Sequence, residues 1–397
     1  MALREEVEEL LRDDGPSALV LREILQPAEG PDAPFCAPTF APPEELEREE
    51  RRSEPLVLGK GKEEMWGGDL RNAVIVDTVE SQANRMEKIL KEKYPELVPQ
   101  IILKMKTKKG DPIEINLLDL GHRIADGLIR FSGLRSRIDD ALQKFTRGNH
   151  LPLALISPTS LIFGFWDSRE TGAKWPRLLR SEIWAYNVLQ LSRKGIYKPA
   201  VMEKFRPEDE WKIYTEELDT GALGEKLEEM GDEKERKEYL SSMGLSSCPW
   251  PEMTNLFRLA DNGRIERIAS LHLVGLRSIS AEDSRKTDLL RKYILGLSLV
   301  LMTYPQRYDL RQGCLLVRKE NPTFEKVYPD GKCQPLDVKH EEVLEFTRGV
   351  VEELKKEGMF PEKPEEFDMD FSRERVEEVE KKTFGKKGQG GKRKRGK

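Results

Sequence analysis

The spacing of apolar positions predicts a strand that leads directly into a helix in the first quarter of the chain. Residues 71–77, RNAVIVD, form a compact apolar run that is typical of a buried strand. The segment 78–93 then has helical periodicity, and Asp77 with Glu80 three residues later predicts its N-terminal cap. One face of this helix carries the apolar residues Val79, Ala83, Met86 and Leu90.

The same patterning predicts further elements. A short acidic helix is expected over 3–13, and a run rich in Pro, Glu and Gly predicts an extended arm or a flexible insertion over 26–68. The apolar run 153–166 predicts buried sheet with a break at Pro158, followed by a loop and a helix. The remaining predicted elements are strands at 100–106, 113–118, 264–278 and 313–318, helices at 120–131 and 284–305, a charged helical insertion at 201–245, and acidic amphipathic segments at 340–358 and 372–382.

These elements follow one another in a β-α-β-β-α-β order with large insertions. That order is the ferredoxin-like or RNA-recognition-type one, in which two helices against one antiparallel sheet leave a sheet face or edge open. We therefore expect an α+β fold, an RNA-recognition-type palm with large finger- or thumb-like insertions, although such folds serve many functions. The expected divisions are an acidic N-terminal helix and arm at 1–68, the palm at 69–320 with an insertion at about 201–250, an acidic helical region at 321–384 and a disordered basic tail at 385–397.

The distribution of charge along the chain says more than the net charge of −5. Residues 1–65 carry a net charge of −9 and residues 201–384 carry −10, whereas residues 66–200 carry +7. The tail at 385–397 adds seven basic side chains and no acidic one. Because positive charge is concentrated in one internal segment and the tail, a polyanionic partner such as a nucleic acid is compatible with the sequence.

Several other classes of protein are disfavoured. The longest apolar stretch, 295–302, is far too short to span a bilayer, and the acidic N-terminus does not resemble a signal peptide, so we expect a cytoplasmic protein. The four cysteines are far apart, which argues against a zinc site or a disulfide framework. Four histidines without an HExxH, P-loop or nucleophile-elbow motif favour a protein that is not an enzyme. Asp167 and Glu170 are more typical of solvated turn carboxylates than of metal ligands.

One cluster that suits a nucleic acid lies near the start of the predicted 78–93 helix. Hydroxyl, amide and guanidinium donors occur together in the sequence SQANR, where backbone amides and the helix dipole also favour an anion. Such a site can hold phosphates without reading bases. A solvated helix start explains the same residues equally well.

A second cluster surrounds two tryptophans. Trp166 and Trp175 stand on either side of Lys174, and Arg177 and Arg180 follow. Aromatic faces can stack on bases while the cations pair with phosphates. Two core tryptophans and a solvated amphipathic helix are the alternative, and the stretch alone favours that alternative.

Three blocks of the sequence together closely resemble one known family. The blocks are VIVDTVESQANRMEKIL, LGHRIADGLIR and SPTSLIFGFWDS with KWPRLLRSEIWAYNV, and their order and spacing fit as well. They are similar to the Cas-seven backbone subunits of type I-G CRISPR effector complexes, formerly called type I-U. The resemblance covers roughly 66–320 and does not extend to the 201–250 insertion, the acidic 340–384 region or the tail.

The resemblance implies a non-catalytic subunit that binds CRISPR RNA (crRNA) and polymerises along it, with each copy holding a short segment of the spacer. A subunit that accepts any spacer must bind phosphate and sugar and leave the bases free to pair. The residues implied to contact RNA are Ser81, Gln82, Asn84, Arg85, Ser157, Thr159, Ser160, Trp166, Ser168, Lys174, Arg177 and Arg180. The implied partners are crRNA, target DNA paired to the guide, further copies in a helical filament, a large subunit, a fused guide-processing subunit and a recruited helicase-nuclease, with no membrane, metal or cofactor.

Two alternatives are left open by the residues themselves. A ribonuclease on the same fold would need a His or Asp placed at the scissile phosphate. A stand-alone RNA-binding protein would use the basic tail at 385–397.

Overall fold

Three β-sheets and a set of helices make up the part of the chain that the computed structural model describes, which is residues 2–41, 54–58, 72–205 and 209–384. The strands are β1 (Ala18–Pro27), β2 (Phe35–Cys36), β3 (Val57–Leu58), β4 (Ala73–Asp77), β5 (Ile101–Lys106), β6 (Pro112–Asn116), β7 (Phe165–Trp166), β8 (Lys174–Trp175), β9 (Leu179–Tyr197), β10 (Cys248–His272), β11 (Tyr308–Arg311), β12 (Cys314–Arg318), β13 (Thr323–Val327), β14 (Cys333–Pro335) and β15 (Glu365–Asp368). The α-helices are α1 (Ala2–Leu11), α2 (Val79–Lys93), α3 (Gly127–Arg130), α4 (Arg135–Thr146), α5 (Leu151–Ala154), α6 (Pro158–Phe163), α7 (Val201–Lys204), α8 (Ala222–Glu229), α9 (Glu233–Ser242), α10 (Leu273–Arg277), α11 (Ser284–Thr303), α12 (His340–Lys356) and α13 (Arg373–Phe384).

The largest sheet is antiparallel throughout. Its strand order is β11-β12-β1-β10-β9-β4-β3, with β13 also paired to β1 and β2 to β10. Strand β1 lies inside this sheet and pairs with β10 from Ala18↔His272 to Leu25↔Ile265. The sequence patterns did not predict β1. Because β1 pairs with β10, the sheet includes residues on both sides of the predicted boundary at 68.

Alternation along β1 explains why this sheet has one buried face. Leu19, Leu21, Glu23 and Leu25 are buried, whereas the residues that alternate with them are partly or fully exposed, as the period of two in a strand requires. Leu19 and Leu21 belong to the larger hydrophobic core, which also contains Met86 of α2 and Leu297 of α11. Helices α2 and α11 therefore pack on the buried face.

A row of polar side chains divides the buried face into two hydrophobic cores. Arg267 and Glu23 form an ion pair that is fully buried, and Arg267 Nε donates to Ser181 Oγ at 2.9 Å. Ser181 Oγ in turn donates to Gln82 Oε1 at 3.0 Å, and Gln82 Nε2 donates to Asp77 Oδ2 at 2.6 Å. This polar row thus links β1, β10, β9, α2 and β4. The second core beyond it includes Leu25, Val74, Ile183, Ile265 and Phe257.

Strands β9 and β10 continue together as a ribbon past the point where β4 leaves β9, with only the two residues of β2 added beside β10. Their ladder is irregular between Leu259 and Arg264, where Asn187 and Asn262 have φ values of 53° and 59°. Beyond the irregularity, the segment between the two strands folds around a small core of its own, formed by Ile213, Tyr214, Leu227 and Leu240. The helical pattern predicted for 201–245 is confirmed by α7, α8 and α9.

Most of the other strongly periodic predictions are also confirmed. Strands β4, β5, β6 and β12 and helices α1, α2, α11, α12 and α13 lie where the patterns placed them. Strands β5 and β6 form a separate sheet with β15, which pairs in parallel with β5. None of the described helices is both long enough and apolar enough to cross a membrane.

The prediction of buried sheet over 153–166 is wrong for most of its length. Helices α5 and α6 occupy this run, and only Phe165 and Trp166 form a strand. All six residues of α6 are buried, and a helix buried on every side has no periodicity that separates it from a buried strand. Pro158 is the first residue of α6, a position that proline favours, so it starts a helix instead of breaking a strand. The helix expected behind the loop is also wrong, because β9 begins at Leu179.

Two predicted elements are shorter than expected. The helix predicted over 120–131 is reduced to a 3-10 turn at Arg123–Ala125 and the four residues of α3, which Asp126 caps by accepting a hydrogen bond from Leu128 N at 3.1 Å. The strand predicted over 264–278 ends at His272, whose Nδ1 accepts a hydrogen bond from Gly275 N at 2.7 Å and caps α10.

The cap of α2 differs from the predicted one. Thr78 is the N-cap residue, and its Oγ1 accepts a hydrogen bond from Ser81 N at 3.2 Å. The Asp77 carboxylate points into the polar row instead, where side chains supply its hydrogen bonds. Of the predicted arm at 26–68, residues 42–53 and 59–68 lie outside the described residues, as does the whole tail at 385–397.

Candidate nucleic-acid interface

The β7–β8 hairpin presents an aromatic ring beside cations at the surface. Trp166 lies opposite Lys174 in the antiparallel pair and retains 68% of its accessible surface. Lys174 is exposed, as are Ser168 and Arg169 in the connecting turn. An exposed indole flanked by lysine and arginine supplies the face that a base stacks on and the charges that pair with its phosphates.

Asp167 holds the turn of this hairpin in one conformation. Its carboxylate accepts hydrogen bonds from Thr171 Oγ1 at 2.7 Å, from Thr171 N at 2.8 Å and from Glu170 N at 3.3 Å. Arg130 Nη2 reaches the same carboxylate at 3.0 Å. Burial alone would raise the pKa of Asp167, but the hydrogen bonds from Thr171 and Glu170 and the charge of Arg130 outweigh it, so the pKa is lowered.

The two turn carboxylates that could have been metal ligands are engaged by arginines. Asp167 pairs with Arg130, and Glu170 pairs with Arg135 at 3.1 Å. Among the described residues there is no group of three or more His, Cys, Asp or Glu side chains that could hold a metal ion. These carboxylates therefore fix the hairpin on α3 and α4.

A buried ion pair supports the first strand of the hairpin. Arg123 Nε and Nη2 donate to the two oxygens of Glu87 at 2.7 and 2.9 Å, and Arg123 Nη1 donates to Gly164 O at 3.4 Å. Burial raises the pKa of Glu87, and the Arg123 charge offsets only part of that effect. Gly164 has a φ of 78°, and a Cβ there would lie 2.9 Å from Trp175 O, so glycine is required where the chain enters β7.

The two tryptophans have different surroundings. Trp175 Nε1 donates to Leu161 O at 3.0 Å, and its ring contacts Phe145 and His150 with centroids 5.8 and 5.0 Å away. Trp175 is thus partly buried in the packing beneath the hairpin, whereas Trp166 is exposed. Burial lowers the pKa of His150, which favours a neutral imidazole in this packing.

The two arginines after the hairpin are bound within the chain to different degrees. Arg177 is partly buried, with Nε donating to Phe163 O at 3.2 Å and Nη1 to Glu80 at 3.3 Å. Arg180 is exposed on β9 and pairs with Glu182 at 2.8 Å. Arg180 is accessible to a ligand as it stands, whereas Arg177 mainly connects α6 to the start of α2.

Helix α2 splits the SQANR cluster into a buried part and an exposed part. Gln82 is fully buried in the polar row. Arg85 donates to Asp77 Oδ2 at 3.1 Å and to the carbonyl oxygens of Asp309 and Leu310 at 3.3 and 2.8 Å, so it ties α2 to edge strand β11. The other two members, Asn84 and Ser81, are exposed and partly exposed respectively.

The three hydroxyl residues expected near RNA on α6 are all buried. Ser157 and Ser160 share a hydrogen bond of 2.8 Å between their Oγ atoms, and Ser160 Oγ accepts from Ile124 N at 3.3 Å. Thr159 is buried beside them. Their side chains position α6 under the hairpin and are not exposed.

The sequence analysis did not predict Arg169 as an RNA-contacting residue. Its place between Trp166 and Lys174 in a polar turn is the signal that could have identified it.

Comparison with known proteins gives one family match. Residues 19–190 match the family model described as "CRISPR-associated protein GSU0053", a region that includes β1, α2 and the whole β7–β8 hairpin. Over that region, the chain is similar to a CRISPR-associated family. No curated protein matches the chain. One solved structure, "CRISPR RNA-guided surveillance complex, pre-nicking", aligns over 91% of this chain and 99% of its own with 9% identity and a TM-score of 0.32, which is too low to define a common fold.

Proposed function

We propose that this protein is a non-catalytic crRNA-binding backbone subunit of a type I-G CRISPR effector complex, and that it oligomerises along the guide and presents the spacer to target DNA. The observation that carries the proposal is the exposed Trp166 beside Lys174 on a hairpin whose turn is fixed by Asp167. The family match over 19–190 supports the same reading.

The hairpin can bind guide RNA in a way that leaves the bases free to pair with target DNA. Stacking on Trp166 uses the face of a base, and Lys174 and Arg169 pair with phosphates, so the base edges are left free for target DNA. Any spacer sequence can bind in this way, because every base has a π-face. The proposed RNA-contacting set is Ser81, Asn84, Trp166, Ser168, Arg169, Lys174 and Arg180.

The remaining predicted site residues are proposed to position that set. Gln82 and Arg85 fix α2 on the sheet, and Ser157, Thr159, Ser160 and Arg177 lie under or behind the hairpin. Their substitution is expected to act through the shape of the site.

An RNA-recognition-type palm is part of the proposal, and the strand order supports it. Strands β12, β1, β10 and β9 are neighbours in that order, with α2 between β1 and β9 in the chain and α11 between β10 and β12. A β-α-β-β-α-β unit with its first strand at β1, instead of at the predicted 71–77, has this arrangement. Strand β4 is then an addition beside β9, and the β9–β10 ribbon with its helical module is the finger- or thumb-like insertion.

The proposed partners are crRNA, further copies of the chain, the large subunit, the fused guide-processing subunit, target DNA and the helicase-nuclease. Nuclease activity is not part of the proposal. Incubation of the purified protein with labelled crRNA and single-stranded DNA, with Mg²⁺ or Mn²⁺, is expected to leave both intact. His122 is exposed, and cleavage that His122→Ala abolishes would instead support the ribonuclease.

A matched pair of tryptophan variants tests the proposed site. Trp166→Ala is expected to weaken binding of single-stranded spacer RNA roughly tenfold or more, because one stacked base contributes about 1–3 kcal/mol, with an unchanged melting temperature. Trp175→Ala is expected to lower the melting temperature, because it removes a packed ring. If Trp166→Ala binds two unrelated spacer RNAs as tightly as the unmodified protein, the hairpin is not the RNA site.

A further inference from the structure

A groove between helices α1, α11 and α12 has no assigned role. Its volume is about 1110 Å³, and the apolar side chains Leu3, Val7, Leu289 and Phe346 line it. Charged side chains surround this apolar floor, so a partner of complementary charge would suit the groove.

Gly349 leaves an open notch in the middle of this groove. It is an interior residue of α12, where glycine destabilises a helix relative to alanine. Apart from its two neighbours and the backbone of its own helix, no described atom lies within 4 Å of the position that its Cβ would take. Gly296 in the facing helix α11 is different, because a Cβ there would lie 2.7 Å from Thr347 Oγ1. Packing within the chain therefore explains Gly296, whereas the open space at Gly349 leaves room for the backbone of a partner.

Unpaired carboxylates lie along the same wall of the groove. Glu342, Glu345 and Glu353 are exposed and form no ion pair with a described residue. They lie on one side of α12 with Gly349, at the spacing of helical neighbours. The cations Arg285, Lys292 and Arg348 already have carboxylate partners, which leaves Arg4 and Lys356. The wall formed by this side of α12 is consequently acidic.

The β5–β6 turn has the complementary properties. Lys106, Lys108 and Lys109 are exposed and, within the part of the chain that the structure describes, none of them has a carboxylate partner. Asp111, the one carboxylate of the turn, accepts a hydrogen bond from Thr107 Oγ1 at 3.1 Å and helps to fix its shape. At the base of the turn, Ile113 retains 38% of its accessible surface. The turn thus joins three unpaired lysines to an exposed apolar side chain and has no aromatic ring on which a base could stack.

We propose that the β5–β6 turn of one copy docks in the α1–α11–α12 groove of the next copy. The three lysines face Glu342, Glu345 and Glu353, Ile113 reaches the apolar floor, and the turn backbone lies against Gly349. The two surfaces are different, so the contact is head-to-tail, and it generates an open filament when the rotation between copies does not close into a ring. The inference rests on the proposed function, which requires copies in a row, and it names the surfaces that join them.

Charge reversal tests this pairing. Lys106→Glu with Lys108→Glu and Lys109→Glu, or Glu342→Lys with Glu345→Lys and Glu353→Lys, should each weaken assembly on a long repeat-spacer RNA roughly tenfold, since opposed charges at a contact become like charges. One chain with both sets reversed should assemble again. Matched controls are Lys234→Glu with Lys237→Glu and Lys319→Glu, and Glu233→Lys with Glu235→Lys and Glu238→Lys, which should assemble normally. Sedimentation velocity measures the assemblies.

A short RNA that accommodates one copy separates this contact from RNA binding itself. Single-copy binding, followed by fluorescence anisotropy, should be the same for both reversed variants and their controls. If the lysine variant alone loses single-copy binding, the turn binds nucleic acid and the proposed interface is wrong. If the doubly reversed chain fails to assemble while its single-copy binding is intact, the pairing is also wrong. If the unmodified protein does not bind the short RNA at all, the proposed function itself is wrong.

Gly349→Ala tests whether the open space at Gly349 is needed for contact with the next copy. The substitution should raise the melting temperature by a few degrees, because alanine favours the helix, and yet weaken assembly on long RNA. A raised melting temperature with unchanged assembly would overturn the proposal.

Discussion

Arg267 Nε donates a hydrogen bond of 2.9 Å to Ser181 Oγ, and this contact joins strands β10 and β9 inside the protein. Ser181 Oγ in turn donates a hydrogen bond to Gln82 Oε1 of α2. The helix that carries the exposed Ser81 and Asn84 is therefore held by buried polar contacts as well as by apolar packing. This polar row sets the position of α2 relative to the sheet, because each member has a directional partner.

Arg267→Met is expected to destabilise the protein by about 3–5 kcal/mol, the usual effect of removing one member of a buried ion pair. Glu23 would keep Arg318, which lies 2.6 Å away, but would lose its fully buried partner. Urea unfolding measures the change. Arg264→Met, which removes a partly exposed arginine from the opposite face of the same strand, is the control and should cost less than about 1 kcal/mol. Equal losses in the two variants would contradict the importance of the polar row.

Asp167→Asn should weaken the hairpin in a pH-dependent way. The pKa of Asp167 is lowered in the folded protein, so its ionised form contributes stability that is present above the ordinary value of 3.8 and is lost as the pH falls through the folded pKa. At pH 7 we expect Asp167→Asn to lose about 1–3 kcal/mol and some RNA affinity. Below pH 3.8 the difference in melting temperature between the two proteins should shrink. A difference that grows in acid would contradict the assigned role of Asp167.

Arg85→Ala and Asn84→Ala should differ, although the residues are adjacent. Arg85→Ala removes hydrogen bonds to Asp77 and to two carbonyl groups of β11, and it leaves the buried Asp77 with fewer partners. We expect a loss of about 2 kcal/mol for Arg85→Ala and less than about 0.5 kcal/mol for the exposed Asn84, measured by thermal unfolding. If Arg85→Ala unfolds at the same temperature as the unmodified protein and only RNA binding falls, then Arg85 contacts RNA directly.

Elements with a clear period could be predicted from the sequence, and elements in a fully buried setting could not. Helices α2 and α12 each have one apolar face, and the local sequence reveals it as a helical period. Helix α6 is buried on every side, so its sequence has no helical period. Strand β1 alternates in the usual way, but it had not been singled out, and only its long-range pairing with β10 shows that it lies inside the sheet.

The residue types of the candidate site could be predicted, but their accessibility could not. Sequence spacing brought Trp166, Trp175 and Lys174 into one segment, and only the fold shows that Trp175 is packed while Trp166 is exposed. In the same way, Gln82 and Asn84 look alike in the sequence. Gln82 lies in the buried polar row because Ser181, about a hundred positions later in the sequence, donates a hydrogen bond to it.

The central claim is that this chain binds guide RNA through the hairpin of Trp166 and Lys174. The most direct measurement is ultraviolet crosslinking of the protein, purified from cells that express its CRISPR array, followed by sequencing of the bound RNA and mass spectrometry of the crosslinked peptides. We expect repeat-spacer RNA of many different spacers, crosslinked to the peptide that contains Trp166, and we expect Trp166→Ala to lose that crosslink. An RNA-free protein, or crosslinks confined to the basic tail at 385–397 with no enrichment of repeat-spacer RNA, would contradict it.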